Sequence, residues 1–291
     1  MKRFLFRAGL LIFMLSLVIA AAGCAQDDGN TGPAERIISL APGNTEILYA
    51  LGLGENVIGV TEFCNYPPEA KQKPTVGGFS TVDLEKIIEL DPDLVLATGI
   101  HEETVVPQLE DRGIDVFVME PRSLDEVLMN IALVGVKTGR QEESNVLVTD
   151  IESRIKAIQD KVSSADRRPS VFYVTWHEPI WTLGKGTLTH ELIQTAGGNN
   201  LFGDMTGHLE TNLEAVISRN PDIILASTGH GTADDSPFIW AQTEERLRDV
   251  NARLNDQVYE VDSDLVTRSG PRIVDGLELM AQYIHPELFE E

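Results

Sequence analysis

The chain has 291 residues, of which 42% are hydrophobic and 24% charged, and its formal net charge is −23. This length suffices for two compact units with real hydrophobic cores. So acidic a balance argues against a nucleic-acid-binding surface and against a basic patch for anionic lipid.

The first segment of the chain predicts export from the cytoplasm. Lys2, Arg3 and Arg7 form a basic start, and the stretch at 8–22 is apolar apart from one serine. An apolar stretch of this length is short for a membrane span and typical of a signal-peptide core. Residues 1–23 are therefore predicted to be a lipoprotein signal peptide.

The lipoprotein assignment depends on Cys24. The small residues at 21–23 resemble a bacterial lipobox, in which the cysteine is lipidated and becomes the new N-terminus. The polar run at 24–35 then predicts a flexible tether. A secretory signal with an incidental cysteine, or an uncleaved anchor helix, are the alternatives, and each places the folded part outside the cytoplasm. Cleavage removes three basic and no acidic residues, which takes the charge from −23 to −26; a lipidated Cys24 also leaves Cys64 without a disulfide partner.

Strand and helix patterns alternate in the next part of the chain, which we assign to an N-terminal lobe at 36–138. Near-continuous apolar strands alternating with helices are typical of a parallel sheet covered on both faces. The predicted elements are strand 36–40, helix 46–53, strand 56–60, a helix, turn and strand at 83–97, helix 102–112 and strand 114–120.

Two helices without intervening strand signal follow, at 123–139 and 141–162. The second spans at least five turns without glycine or proline, and we predict that it is the single connector between lobes, within a connecting segment at 139–168. One stiff helix should permit only modest closure of the lobes.

The remaining residues, 169–291, are assigned to a C-terminal lobe. Its pattern again alternates strands with helices. The predicted elements are strand 171–176, helix 189–198, a helix, turn and strand at 212–226, helix 239–254, strand 257–262 and helix 271–283.

An internal repeat relates the two lobes. Residues 83–97 (DLEKIIELDPDLVLA) and 212–226 (NLEAVISRNPDIILA) align without a gap. Each copy is half of a βαβ crossover, and two copies this far apart predict two similar α/β lobes with parallel sheets rather than a solenoid. A cleft between two lobes is a natural place for a small molecule.

Enzyme motifs are missing from the sequence. It has no G-x-S-x-G, Walker A or H-E-x-x-H motif, and no cysteine–histidine cluster for structural zinc. We predict a protein that is not an enzyme and has no cofactor or metal site of its own. A two-lobed hydrolase or metal-dependent enzyme is the alternative from another class.

Aromatic side chains fall mostly after strand ends or in connecting loops. In open parallel sheets a ligand lies outside the carboxyl ends of the strands, and flat apolar side chains there suit a broad, partly apolar ligand. Each could instead pack beneath a loop. Trp176, Trp181 and Phe79 are the strongest candidates. The full set is Phe63, Tyr66, Phe79, Trp176, Trp181, Phe202, Phe238 and Trp240.

Three histidines, His177, His208 and His230, are predicted to lie in loops of the C-terminal lobe. A neutral imidazole could coordinate a metal centre within a ligand, although a solvated or hydrogen-bonded loop histidine is the simpler interpretation. His177 is the exception because it adjoins Trp176 at the strand end, so it is a candidate axial ligand.

Glu85 and Glu214 occupy equivalent positions in the repeat. A carboxylate in the first turn of a helix is favourable because of the helix dipole, which alone could explain both residues. The alternative is that one carboxylate on each lobe pairs with arginines of a two-fold partner.

The chain resembles the substrate-binding proteins of ABC importers for cobalamin, iron-siderophores and haem. The resemblance covers residues 36–285 and is carried by RIISLAPGNTEILYALGLG, NYPPEA, VGGFSTVDLEKIIELDPDLVLA, GTLTHELIQTAGGNNLF and NLEAVISRNPDIILA. It implies two Rossmann-like lobes joined by a long helix, little closure on binding, and one docking glutamate per lobe, here Glu85 and Glu214. Its implied partners are an ABC permease and ATPase complex. We expect a monomer held at the outer face of the membrane by lipid on Cys24.

Within this class, CNYPPEA and YVTWHEPIWTLGKGTL are most similar to the vitamin B12-binding branch, which implies cobalamin as the transported ligand. Phe63 and Phe79 match positions where that branch often has an aromatic residue, whereas Thr98 and Gly99 stand where some members have tryptophan. Haem or a ferric siderophore is the alternative cargo. The candidate ligand-binding residues are Phe63, Tyr66, Phe79, Trp176, His177, Trp181, Trp240 and Arg268.

Overall fold

A four-stranded parallel sheet organises the first half of the chain, here residues 34–137. The structure is a computed structural model that describes residues 33–228 and 235–289, so the predicted signal peptide and Cys24 lie outside the described residues. The strand order is β2-β1-β3-β4, with Ile37 of β1 aligned with both of its neighbours. The strands are β1 (Ile37–Ser39), β2 (Val57–Val60), β3 (Leu94–Ala97) and β4 (Asp115–Val118).

Short helices connect these strands, as the alternating pattern predicted. The helices are α1 (Pro42–Ala50), α2 (Leu84–Glu89) and α3 (Val106–Glu110), with 3₁₀ turns at Gly54–Asn56, Pro68–Gln72 and Gly99–His101. The helix predicted at 102–112 is shorter in the structure. Pro107 stands in the first turn of α3, where its missing N–H costs nothing, and the helix begins there rather than earlier.

Two long helices, α4 (Leu124–Lys137) and α5 (Gln141–Val162), pack against each other after a three-residue turn. The Ser123 hydroxyl accepts a hydrogen bond from the Glu126 amide (3.1 Å) and so fixes the start of α4. The bounds of α5 match the predicted long helix. It lies in the chain between the first sheet and the second.

The second half, residues 170–289, is built on a six-stranded sheet that is mixed, whereas a parallel sheet was predicted. Three strands are parallel: β5 (Ser170–His177), β9 (Ile223–Ser227) and β10 (Val258–Val261); the short strand β7 (Asn199–Asn200) also runs parallel to β5. Two antiparallel strands extend the sheet: β6 (Ile180–Leu183) and β8 (His208–Thr211). Only two residues separate β5 from β6, and so short a connection can join only antiparallel neighbours.

The helices of the second half are mostly short. They are α6 (Leu188–Thr195), α7 (Leu213–Arg219), α8 (Pro237–Thr243), α9 (Asn251–Leu254), α10 (Ser263–Val266), α11 (Ile273–Ile284) and α12 (Pro286–Phe289), with a 3₁₀ turn at Glu245–Leu247. The single helix predicted at 239–254 is therefore wrong. It is interrupted at Glu244, whose extended backbone ends α8 and whose carboxylate accepts the Arg246 amide hydrogen bond (3.1 Å) to begin a new turn.

The sequence repeat occupies equivalent places in two separate sheets. β3 lies beside β1, and β9 lies beside β5, both parallel. Asp93 and Asp222, which are identical in the repeat, each fix the start of the neighbouring strand. Asp93 accepts the Arg36 amide (2.9 Å), and Asp222 accepts the Ser170 amide (2.9 Å). The two copies thus form the same local structure by the same contacts.

Three groups of buried apolar side chains form the core. One belongs to the first half and includes Ile38 and Val95; a second belongs to the second half and includes Phe172 and Ile224. The largest runs through both halves, from Ile37 across the α4–α5 pair to α11. Residues 34–289 accordingly pack as one compact unit. Among the described residues, no helix is both long enough and apolar enough to cross a membrane.

Candidate ligand-binding site

Several of the aromatic candidates lie near the carboxyl ends of the parallel strands. Four of them are substantially exposed: Phe63 (53%), Tyr66 (44%), Phe79 (36%) and Trp181 (38%). The first three follow β2, and Trp181 lies on β6, directly after the end of β5. Exposed aromatic rings from both sheets therefore stand at the edges where ligands of open parallel sheets bind.

The carboxyl-end loops of the two halves are joined by hydrogen bonds. The Arg268 guanidinium donates to the Asn65 side-chain carbonyl (2.6 Å) and forms an ion pair with Asp264 (2.7 Å). The Asn65 amide in turn donates to Asp264 (3.4 Å). Arg268 is a predicted ligand contact, and in this structure its guanidinium is paired with the carboxylate of Asp264.

A buried ion pair lies beside this bridge. Glu46 of α1, with only 2% of its side chain exposed, accepts two hydrogen bonds from the Arg272 guanidinium (2.7 and 3.0 Å). These bonds raise the pKa of Arg272 above its ordinary value. Arg268 also approaches the Glu46 carboxylate (3.5 Å). Glu46 thus holds two arginines of the second half against the first half.

Arg272 also contacts Tyr66. The Arg272 guanidinium carbon lies 3.9 Å from the centre of the Tyr66 ring, a cation–π contact that covers one ring face. A cavity of about 330 Å³ adjoins this pair. It is lined by Glu46, Tyr49, Ala50, Tyr66, Pro67, Pro271 and Arg272. Its walls come from both halves of the chain.

Phe79 is held by a histidine that sequence reasoning missed. The buried His101 ring contacts Phe79 edge-on, with ring centres 5.8 Å apart, and its Nε2 lies 2.8 Å from the Phe79 carbonyl oxygen. Burial lowers the pKa of His101. The only signal in the sequence was its position shortly after the end of β3.

Trp176 and Trp181 are paired across the β5–β6 hairpin and therefore project to the same side. Trp176 is half-buried, and its indole N–H donates to the Glu178 carbonyl (2.8 Å). Trp181 is the more exposed of the two. A ligand can therefore reach Trp181 more readily than Trp176.

His177 is enclosed rather than open. Its ring packs between Trp176 and Trp240, with ring centres 4.8 and 5.9 Å away. Its Nε2 lies 2.9 Å from an Asp235 carboxylate oxygen, and its Nδ1 is buried without a hydrogen-bond partner among the described residues. Trp240 thus stacks against the His177 ring. In this conformation neither ring nitrogen faces open space where a ligand's metal centre could reach it.

Other predicted candidates fall outside the site or outside the structure. Phe202 is fully buried in the core of the second half, where it packs on Phe172, and Phe238 is partly buried there. His208 is exposed on β8, and His230 lies outside the described residues. Within residues 33–228 and 235–289, no group of three or more histidine, cysteine or acidic side chains is arranged to hold a metal ion.

Comparison with known proteins shows the family of the chain. A family model described as "Periplasmic binding protein" matches residues 37–265. The chain belongs to this family. It is thus an ABC-importer substrate-binding protein of the extracytoplasmic class, which works with a permease and an ATPase.

Periplasmic binding proteins similar to this chain include two relatives and one solved structure. The uncharacterized ABC transporter substrate-binding lipoprotein YvrC of Bacillus subtilis is 39% identical over 88% of this chain and 82% of its own. The vitamin B12-binding protein of Vibrio cholerae is 31% identical over 87% of this chain and 90% of its own. A structure from Staphylococcus epidermidis, described as a possible iron-binding periplasmic solute-binding protein, is 31% identical with a TM-score of 0.75, covering 87% of this chain and 99% of the other.

The two repeat glutamates of this periplasmic binding protein are exposed at equivalent points. Glu85 stands in the first turn of α2, capped by Asp83, and Glu214 in the first turn of α7, capped by Asn212. Both helices begin on the carboxyl side of their sheets. Neither carboxylate makes a hydrogen bond or ion pair with another residue in the described part of the chain, so both are available to a partner.

Proposed function

We propose that the protein captures cobalamin, or a related corrinoid, between its two halves and delivers it to an ABC permease. The observation that carries this proposal is the set of exposed aromatic rings on both carboxyl edges, Phe63, Tyr66 and Phe79 on one and Trp181 on the other. A broad, flat, partly apolar cargo matches such a surface. The vitamin B12-binding relative, aligned over most of both chains, supports the same cargo.

The charge of the site also favours a corrinoid. Glu46 and Asp264 together balance the charges of Arg268 and Arg272. The carboxylates of haem and the charges of an anionic siderophore would need unpaired cations in the site. The side chains of cobalamin are mainly neutral amides, which do not. The Asn65–Arg268 pair offers both a donor and an acceptor surface, which suits an amide.

Cargo retention tests the proposal. Purified mature protein would be incubated separately with cyanocobalamin, haemin and a ferric siderophore, then passed through gel filtration and examined by absorbance. We expect one molecule of unchanged cyanocobalamin per chain. Retention of haemin or the siderophore alone would replace the cargo and keep the class, whereas conversion of the ligand into product would establish an enzyme.

Trp181 should make a large contribution to affinity. We expect Trp181→Ala to weaken corrinoid binding by about 1–3 kcal/mol, because an aromatic ring that becomes buried against the cargo is lost. Trp176→Ala should also weaken binding, but there the lost hydrogen bond to Glu178 adds a folding effect. The measurement is the dissociation constant by calorimetry. The control is Phe289→Ala, which removes an aromatic ring of the last helix that lies against Lys161. Equal affinity of Trp181→Ala and the native protein would show that Trp181 is not part of the site.

We further propose the division of the chain into a signal peptide at 1–23, a tether at 24–35, lobes at 36–138 and 169–291, and the connector at 139–168. In this arrangement Cys24 carries the lipid anchor. We expect Cys24→Ser to release the protein from membranes into the soluble fraction, as measured by fractionation and immunoblotting. Continued membrane retention would instead indicate an uncleaved anchor helix.

A further inference from the structure

Phe79 lies at the tip of a tight hairpin. Gly77 and Val82 form an antiparallel bridge, and the Gly78 amide donates to the Thr81 carbonyl (3.1 Å). Gly77 has a φ of +104°, and a Cβ there would come within 2.5 Å of the Thr81 oxygen, so the turn requires glycine. The hairpin therefore has a defined shape, and its tip presents Phe79.

His101 connects this tip to the loop after β3. The Thr98 amide donates to Nδ1 (3.1 Å), so Nδ1 carries no proton. The proton is then on Nε2, which donates to the Phe79 carbonyl (2.8 Å). With only 1% of the residue exposed, both nitrogens of the neutral ring are used for this connection.

A charged imidazole breaks one of these hydrogen bonds. A protonated Nδ1 cannot accept from the Thr98 N–H, because both groups would then be donors, and only the more distant Thr98 hydroxyl (3.3 Å) could accept its hydrogen. Burial lowers the pKa of His101 below its ordinary value, so folding favours the neutral form. The stabilisation is therefore complete above the unfolded-state pKa of about 6.5 and is lost as the pH falls through the lower folded-state pKa.

Four carboxylates lie near the hairpin or next to His101 in the sequence. Glu62 lies against Gly78 of the hairpin, and Glu120, which follows β4, lies against Gly99. Glu102 and Glu103 come directly after His101 in the chain. None of the four hydrogen-bonds the imidazole in the described chain. Burial lowers the pKa of His101, and the hydrogen bonds with Phe79 and Thr98 oppose this shift without reversing it.

We propose that His101 is a positioning residue for Phe79, and that its neutral form holds this ring at the cargo-binding edge so that cargo affinity falls in acid. The inference rests on the proposed function for its cargo, but the contacts exist without any ligand. We expect no direct contact between His101 and the cargo. It acts by fixing the backbone of the residue that does.

The first test uses the cargo-free protein. Hydrogen exchange of the Thr98 amide, corrected for intrinsic rates, would be measured at about pH 7.5 and about pH 5. We expect protection to fall in acid for the native protein and to be independent of pH for His101→Gln, since glutamine does not titrate. His208→Gln, at an exposed histidine on β8, should behave as the native protein. Unchanged protection in the native protein would overturn the proposal.

The second test measures cyanocobalamin affinity at the same two pH values. We expect about a five- to tenfold weakening in acid for the native protein, the size of one neutral hydrogen bond, and less than about twofold for His101→Gln. Phe79→Ala should likewise lose the pH dependence. Full pH dependence in His101→Gln would contradict the proposal. If cyanocobalamin does not bind at any pH, the proposed cargo fails and the exchange experiment alone decides the role of His101.

Discussion

Uptake of cargo should be abolished when Glu85→Ala and Glu214→Ala are combined, while the affinity for cargo stays unchanged. The two carboxylates occupy the same position in the repeat, one in the first turn of α2 and one in the first turn of α7, and both are exposed. The caps provided by Asp83 and Asn212 keep the two helix starts in the same conformation. A two-fold permease surface with an arginine at each site would meet both at once, and charge-assisted pairs would fix the register.

The experiment would follow radiolabelled cargo entering cells that lack the native protein. Dissociation constants of the purified variants would be measured in parallel. A matched control is Glu89→Ala with Glu210→Ala, which removes two exposed carboxylates from α2 and β8 and leaves the helix starts intact. We expect normal uptake from this control. Normal uptake from the Glu85 and Glu214 variant would disprove their docking role.

Glu46→Gln should cause a large loss of stability. The Glu46 carboxylate is buried and holds Arg272 through two hydrogen bonds, with Arg268 close by. A neutral amide leaves the half-buried Arg272 charge without its partner, and breaking a buried pair in this way costs about 3–5 kcal/mol. Native proteins have a free energy of unfolding of only about 5–15 kcal/mol, so the denaturation midpoint should fall far below that of the native protein.

Denaturant unfolding of the cargo-free protein would measure this loss. Glu89→Gln, an exposed residue of the same type, should leave the midpoint unchanged. The double variant Glu46→Met with Arg272→Met should recover much of the lost stability, because replacing both partners by apolar side chains leaves no uncompensated charge. A Glu46→Gln protein within about 1 kcal/mol of the native one would show that the ion pair adds little.

The repeat allowed the fold class to be predicted because each copy contains the residues that begin its helix and fix the neighbouring strand. Each copy carries its own helix cap, at Asp83 or Asn212, and the aspartate that fixes the adjacent strand, at Asp93 or Asp222. These contacts involve residues close in sequence or at strand starts. Two separate sheets with equivalent central strands follow from them.

The mixed character of the second sheet could not be predicted as readily. β6 is four residues long and follows β5 after Glu178 and Pro179, a turn signal that is also typical of an ordinary loop. The break at Glu244 was missed for a similar reason. Neither glycine nor proline marks it, and the ion pair between Glu244 and Arg246 that accompanies it is a local side-chain contact.

Some features of the candidate site could be predicted from the sequence, and others could not. Exposed aromatics after strand ends could be predicted, since the carboxyl edge of a parallel sheet is set by the strand order. The Glu46–Arg272 pair joins residues 226 positions apart, and the Asn65–Arg268 bond joins residues 203 apart. No spacing rule relates such residues. Likewise, His101 gave no motif, because its partners are backbone atoms of Thr98 and Phe79.

The largest apolar cluster joins the two halves that contain the repeat. Side chains from β1, the α4–α5 pair, β5 and α11 pack into one continuous interior. Cutting the chain near residue 139 and separating the two parts would expose apolar side chains of this cluster to water on each part. The two copies of the repeat therefore belong to one cooperative folding unit, and we expect them to unfold together.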